Sequence, residues 1–383
     1  MNEIIIATIM RPAGETGVQT HFNCFRGYLA EHSLKHQLIT PFSYYKFLVY
    51  PVFAARKILD KLSGEISVWW YRYWHRFFLE LALKERLKSG ADCVIYAQCP
   101  LAADAALRAR VSARQRVIMV THFNVSQADE WLGKGKIAKN GKLYQAITNL
   151  EATVLPRLDG LVFVSEFMRR ELLVRIPAIA SVPACIIPNF LPDPGLPKPQ
   201  QPVADLINIG SLEARKNQQY LLEIIAALRE QGTPLTLTLV GEGPDRAMLE
   251  EKARSLKVDD LLRFTGFVKN AAELIARHNA CIHVASIENL PVTLIEALAS
   301  GCPIFATPVG GVPEVLADNT VGLSIPLDDA VAAAKIVASA ISNPQWLANT
   351  GYAARERFLK QYASDVCAKR LYEFLQEPAS SAE

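Results

Sequence analysis

Short runs of aliphatic and β-branched residues recur along this 383-residue chain, each followed by a longer segment whose apolar residues return every three to four positions. That alternation is the strongest constraint on the fold. A strand that is apolar on both faces has to be covered on both faces. Crossovers long enough to be helices cover it when the strands are parallel. In the first half the expected strands are EIIIATI (3–9), HQLIT (36–40), CVIYA (93–97), RVIMVTH (116–122) and GLVFVS (160–165). Helical patterns span 17–31, 71–89, 100–110, 142–156 and 166–174. LPDPGLPKPQQP (191–202) then breaks the pattern with five prolines, which cannot join either neighbour's regular structure, and is the expected interdomain linker.

The alternation restarts with DLINIGS (205–211), LTLTLVG (235–241), LLRFTG (261–266), ACIHVAS (280–286), PIFATP (303–308) and GLSI (322–325). Helical patterns lie over 217–231, 244–257, 270–278, 291–300 and 328–342, with more helix over 344–375. The expected division is a first domain over 1–190, the linker over 191–202, a second domain over 203–343, and helices over 344–376 packing back toward the first domain. The closing EPASSAE is expected to lack regular structure. The chain is too long for one comfortable core, so two doubly wound α/β domains fit its length. Ligands of such sheets bind at the carboxyl ends of the strands. Two facing sheets are therefore expected to form one cleft.

Composition excludes several classes. Half the residues are hydrophobic and 21% charged, as in ordinary globular proteins, and a net charge of +3 is too small to argue for nucleic acid. Seven cysteines without a C-x-x-C read as reduced thiols of a cytosolic protein. MNEIIIATIM lacks the cationic region of a signal peptide, and no run of 18 apolar residues occurs. A cytoplasmic location is expected. Charge is uneven, however. Between Pro41 and Gly90, nine Lys/Arg face four Asp/Glu, interleaved with aromatics, and WLGKGKIAKNGK (131–142) adds four lysines without an acid. KFLVYPVFAARK (46–57) and SVWWYRYWHRFF (67–78) suit the interface of an anionic membrane. They suit equally a packed helix with a solvated basic face.

The stretch SIENLPVTLIEALASGCPIFATPVGGVPEVL (286–316) puts two carboxylates into a segment otherwise built for packing. Glu288 follows a strand at its carboxyl end, Pro291 suits a first helical turn, and Glu296 falls early in that helix. Carboxylates there can accept hydrogen bonds from vicinal hydroxyls, and a helix N-terminus suits phosphate oxygens. Gly310 and Gly311 allow close approach of the main chain or a tight turn. Singly, these are a loop acid, a cap and a turn; jointly, their spacing points to a ligand.

NIGSLEARKNQQYLLEII (208–225) places Gly210 in a strand–helix turn and Arg215 and Lys216 at the helix start. Cations there are mildly unfavourable without an anion. RPAGETGVQTHF (11–22) offers Gly14 and Gly17 in a weak G-x-x-G, not a dinucleotide fingerprint. VIMVTHFNVS puts His122 at a strand end, as a structural or a site histidine.

The E-x7-E pair with EALASGCPIFATPVGGVPEVL resembles glycosyltransferase family 4, retaining nucleotide-sugar-dependent enzymes of GT-B fold. IPNF (187–190) resembles the family's I-P-N-G, and VFVSEFMRREL its V-x-x-S helix start. The resemblance implies two Rossmann-like domains. It implies that Glu296 binds the nucleotide ribose, Glu288 the transferred sugar's hydroxyls, and that Asn289, Leu290 and Pro291 line the donor. Lys216 falls on the lysine of the family's G-R-L-x-x-x-K-G, which binds the donor diphosphate. Ser211 stands where that motif has arginine, with Arg215 as the substitute cation, and Asn289 stands where a glycine is usual. The Gly14–Gly17 loop would face the diphosphate and acceptor, and His122 the donor sugar's hydroxymethyl group.

The implied activity is retaining transfer of a hexose from GDP-mannose or a UDP-hexose to a saccharide or polyprenyl-diphosphate-linked acceptor in bacterial surface polysaccharide synthesis. No metal and no cofactor are expected, and no D-x-D motif occurs. Alternatives are a GT-B epimerase or phosphorylase, or a catalytically silent sugar-nucleotide-binding or scaffolding protein.

Overall fold

The computed structural model describes residues 2–14, 16–196 and 202–377. Glu15, residues 197–201 of the expected linker and residues 378–383 of the tail lie outside the described residues, as does the Lys57 side chain. The chain forms two compact units. One comprises Met1–Pro188 with the segment from Cys367, and the other Asn189–Val366.

The first unit holds β1 (Glu3–Ala7), β2 (His36–Ile39), β3 (Cys93–Ala97), β4 (Gln115–Thr121), β5 (Gly160–Phe163) and β6 (Ala184–Ile186). All pairings are parallel, in the order β2-β1-β3-β4-β5-β6. The second holds β7 (Ala204–Ile209), β8 (Leu237–Val240), β9 (Leu262–Gly266), β10 (His278–His283), β11 (Ile304–Ala306) and β12 (Gly322–Ser324). It too is parallel throughout, in the order β12-β11-β10-β7-β8-β9. Helices cover these strands, and the cores gather around Ile5, Ile95 and Val117 in the first unit and Leu206, Ile282 and Phe305 in the second.

Both sheets reverse direction of growth beside their first strand, between β1 and β3 and between β7 and β10. Loops leaving two adjacent strands at such a reversal diverge to opposite faces and leave a crevice for a ligand.

Several apolar runs overshoot their strands. GLVFVS pairs only to Phe163, yet Val164 and Ser165 remain 1% exposed. Burial continues where the ladder has ended, so hydrophobicity alone overstates strand length. β6 was not expected: it has three residues, none buried, and carries no periodic signal. The helix expected over 71–89 runs Gly64–Leu87 behind a Ser63 cap, and a separate helix Lys46–Leu62 precedes it. The segment 344–375 is two helices, Pro344–Gln361 and Ser364–Gln376.

The domain boundaries differ from expectation for a physical reason. Asn189 donates from Nδ2 to the Leu290 carbonyl at 2.9 Å. Leu191 N–H donates to the Tyr362 carbonyl and the Leu191 carbonyl accepts from Ser364 N–H. Asp193 pairs with Arg355 at 2.5 Å. Residues 189–193 are thus docked on the second unit and not part of a free linker. The helix Pro344–Gln361 also belongs to that unit, since Arg355 bonds the Ala299 carbonyl and Arg357 those of Val315 and Leu316. Only the segment from Cys367 joins the first unit, where Arg116 donates to the Leu375 carbonyl at 3.1 Å and Arg370 to that of Ile186 at 3.0 Å.

Candidate functional site

The most constrained loops of the second unit leave β7 and β10, the neighbours at the sheet's reversal. After β7, Gly210 N–H donates to the Val240 carbonyl and Leu212 N–H to that of Glu242, each at 3.0 Å. A Cβ on Gly241 would lie 1.9 Å from the Gly210 oxygen, and one on Gly243 2.1 Å from that of Leu212. The chain then makes a single turn, Ala214–Lys216, and Asn217 adopts a left-handed conformation (φ 55°) before the helix Gln218–Glu230. Gln218 reaches back to the Ser211 carbonyl at 3.0 Å.

The loop after β10 is tied to this one and to the rest of the unit. Ser286 N–H donates to the Arg215 carbonyl at 2.9 Å. Gly310, at φ +58°, brings its backbone so close to the Glu288 carbonyl that a Cβ would sit 1.6 Å from that oxygen. Gly311 N–H donates to the Asn289 carbonyl at 2.8 Å, and Asn189 holds that of Leu290. The glycine pair therefore serves a close approach of main chain to main chain.

These restraints bring the predicted charges together. Lys216 Nζ forms an ion pair and hydrogen bond with Glu288 Oε1. Arg215 Nη1 lies 3.7 Å from the same oxygen. Its Nε lies 2.6 Å from Glu213 Oε1, which also accepts from Ser211 Oγ at 2.8 Å. Ser211, standing where the family motif has arginine, thus orients the acid that orients Arg215. A fourth group was not foreseen: His283, 2% exposed at the end of β10, places Nε2 3.4 Å from Glu288 Oε1.

Glu288 is buried, which alone would raise its carboxyl pKa, but Lys216 and then His283 outweigh burial and bring it down to about 2. Burial, reinforced by Lys216 and Arg215 against the pull of Glu288, holds His283 below its ordinary value. Near neutral pH the cluster is a carboxylate, two cations and an uncharged imidazole.

Other expected residues fall nearby with differences. Pro291 is the cap of the helix Val292–Ala299, one position before its first turn. Asn289, Leu290 and Pro291 are buried, so their side chains pack inside the unit. Glu296 is half-buried in the second turn of that helix.

In the first unit, His122 follows β4, half-buried. Its Nε2 is 3.3 Å from Gln98 Oε1 and its ring lies 4.6 Å from that of His21 in an edge-on arrangement. Burial, then the facing His21, pushes the His122 pKa down, leaving a neutral imidazole. Gly14 and Gly17 flank a loop wrapped around Gln19, whose Nε2 donates to the Arg11 and Ala13 carbonyls at 2.9 Å each. A Cβ on Gly14 would strike that side chain at 2.3 Å, so this glycine makes room for Gln19. Gly17 is the exposed first residue of the helix Gly17–Glu31, capped by Thr16.

The aromatic-basic segment divides. Trp70 donates to the Val52 carbonyl at 2.9 Å and Trp74 packs on Phe77 and Phe78. Phe47, Ile58, Leu62, Ile66 and Trp69 are exposed, by 49–74%. The lysine cluster meets the same pair of helices, where Lys136 Nζ is 2.9 Å from Asp60 Oδ1. Among the described residues, no helix is long and apolar enough to cross a membrane.

Comparison with known proteins agrees with this architecture. HepE of Anabaena, solved in complex with UDP and glucose, aligns over 99% of this chain and 100% of its own with a TM-score of 0.69 at 14% identity, a likeness of fold. Two parallel six-stranded sheets of this kind define a GT-B protein. Residues 197–357 match the family described as Glycosyl transferases group 1. It is 28% identical over 160 residues to the N-acetyl-alpha-D-glucosaminyl L-malate synthase of Bacillus anthracis, covering 42% of each. It is 28% identical over 182 residues to the GDP-mannose-dependent alpha-(1-6)-phosphatidylinositol monomannoside mannosyltransferase of Mycobacterium tuberculosis, covering 45% of this chain and 47% of that one. The chain spans about half the length of the curated relatives it matches.

Proposed function

We propose that the chain is a retaining glycosyltransferase that moves a hexose from GDP-mannose or a UDP-hexose to a saccharide or polyprenyl-diphosphate-linked acceptor in surface polysaccharide synthesis. The observation that carries this reading is the meeting of Lys216, Arg215 and Glu288 at the reversal of the second sheet. Two cations there can hold a diphosphate, and a buried carboxylate can accept hydrogen bonds from sugar hydroxyls. In this reading Glu296, in the helix that follows the Glu288 loop, binds the nucleotide ribose.

The reaction forms a bond between the acceptor oxygen and the anomeric carbon and breaks the bond from that carbon to the diphosphate. The acceptor's proton passes to the departing phosphate oxygen, and the nucleoside diphosphate leaves. Charge grows on the diphosphate as the bond breaks, so Lys216 and Arg215 act where preorganised positive charge lowers the barrier most. His122, held neutral, donates or accepts a hydrogen bond to the hexose and is not a base. The Gly14–Gly17 loop is assigned to the acceptor side.

The exposed Phe47, Leu62, Ile66 and Trp69 of two successive helices, together with exposed Lys46 and Lys61, support peripheral attachment at an anionic inner leaflet, where a lipid-linked acceptor resides.

Calorimetric titration with UDP-glucose and GDP-mannose tests the donor site. Glu296→Ala and Lys216→Ala should each weaken binding, and unchanged affinity in both would refute the assignment. Ser211, in place of a motif arginine, favours one rival, a silent binding protein. That rival wins if the protein binds a nucleotide sugar yet releases no nucleoside diphosphate across a panel of acceptors.

A further inference from the structure

Lys216 has two claims on it. In this structure its ammonium group is held by Glu288, whereas the proposed donor site requires it on the diphosphate. The carboxylate it would leave is 6% exposed and gathers three positive or proton-bearing groups on the single oxygen Oε1. Taking one cation away strands a buried negative charge, which is costly unless another charge replaces it. Arg215 cannot simply move in, because Glu213 holds its Nε at 2.6 Å and the diphosphate attracts it as well. His283 can. It is fixed at the end of β10, with Nε2 3.4 Å from that oxygen and without a well-aligned hydrogen bond there.

Resting on the donor reading above, we propose that donor binding is coupled to uptake of one proton by His283. The imidazolium takes over Glu288 as Lys216 transfers to the diphosphate. The groups facing His283 are Lys216 and Arg215 from the loop after β7 and Glu288 from its own loop. The adjoining positions Ile209 of β7 and Ala306 of β11 do not titrate, and Cys281 on β10 is a buried thiol held protonated by burial. Withdrawal of Lys216 removes the nearest repulsion and leaves the Glu288 attraction. The His283 pKa must therefore rise on binding.

The sign follows from linkage. A pKa raised by binding makes affinity greatest at low pH and lets it fall as pH climbs through the window from the free to the bound value. The free value lies below 6.5, so the loss occupies the range above it, about tenfold for each unit of pKa change. His283 is a positioning residue in this scheme, since it acts on the donor through Glu288.

The test titrates the full chain with UDP-glucose and with GDP-mannose, whose diphosphates carry no titrating proton near neutrality. Calorimetry is run at pH 6.5 in two buffers of different ionisation enthalpy, on the parent, His283→Asn and His283→Gln. Uptake of a substantial fraction of a proton by the parent and none by the variants supports the proposal, as does affinity that falls between pH 6 and 8 only in the parent. Binding without proton uptake overturns the coupling and leaves the donor site standing. Uptake that persists in the variants overturns the assignment to His283. Failure of both nucleotide sugars to bind the parent overturns the donor reading and the coupling with it. Should the variants not fold, imidazole NMR of the parent decides: one histidine midpoint must move up on adding donor.

Discussion

Replacing Gly310 by alanine probes the main-chain contact that fixes Glu288. Two effects add. Residue 310 sits at φ +58°, a left-handed conformation that costs a residue with a Cβ about 1–2 kcal/mol. The new methyl would also lie 1.6 Å from the Glu288 oxygen, where ordinary contact begins at 3.4 Å. Both partners are backbone, so the loop has to move by well over an ångström. The bond from Gly311 N–H to the Asn289 carbonyl then breaks, leaving groups unpaired at about 1–3 kcal/mol.

The expected total is about 2–5 kcal/mol. Gly232→Ala supplies the reference, because that glycine is also left-handed (φ +75°) but has nothing within 4 Å of the added Cβ. Urea unfolding of the two variants isolates the overlap, provided their slopes match. Gly310→Ala should unfold at the lower urea concentration and bind nucleotide sugar more weakly than Gly232→Ala. Equal midpoints and equal affinities would show that the loop yields freely and that the glycine is there for some other reason.

Asn189→Ala removes the donor to the Leu290 carbonyl, and should lower stability by about 1–3 kcal/mol and weaken donor binding, both read by thermal shift with and without nucleotide sugar. Glu288 titrates at about 2 in the folded chain against an ordinary 4.5. It therefore adds stability above pH 4.5 that drains away as pH falls toward 2. Glu288→Gln should flatten that part of the acid-unfolding curve, and an unchanged curve would contradict the ion pair. Serine at Phe47, Ile66 and Trp69 together should reduce co-sedimentation with anionic vesicles at least about tenfold. Trp70→Ser should lower the melting temperature through its lost bond to the Val52 carbonyl; equal co-sedimentation of the triple variant and parent would return this face to simple solvent exposure.

How much of this could be read from the residues alone depended on the range of the interaction concerned. The strands were legible because burial on both faces leaves a local mark, as in CVIYA, which coincides with β3. β6 left no mark, being short and at an edge. The proline-rich stretch correctly signalled an end to regular structure. What holds Asn189 to Asp193 on the second unit, however, lies at Leu290, Arg355 and Tyr362–Ser364, about 100 to 170 residues away.

The acid and the lysine were picked out by motif. Their pairing across 72 residues depends on β10 lying beside β7, and alternation gives strand number but not strand order. His283 was hidden inside an apolar run, ACIHVAS, where a polar residue at the last strand position was the available clue. Ser211 looked like a lost arginine, and only coordinates reveal the relay through Glu213 to Arg215.

The segment from Cys367 has a consequence for biogenesis. Gln376 exchanges two hydrogen bonds with Asn2, and Arg116 of β4 caps carbonyls near residue 375. Residues 1–188 emerge from the ribosome before the segment from Cys367, yet part of their packing is supplied by that later stretch. The strands of the first sheet are all present by residue 186, but its unit must wait for the covering segment from Cys367 while the second, contiguous unit is made. Cutting the polypeptide just before Cys367 should therefore harm residues 1–188 more than the unit next to the cut.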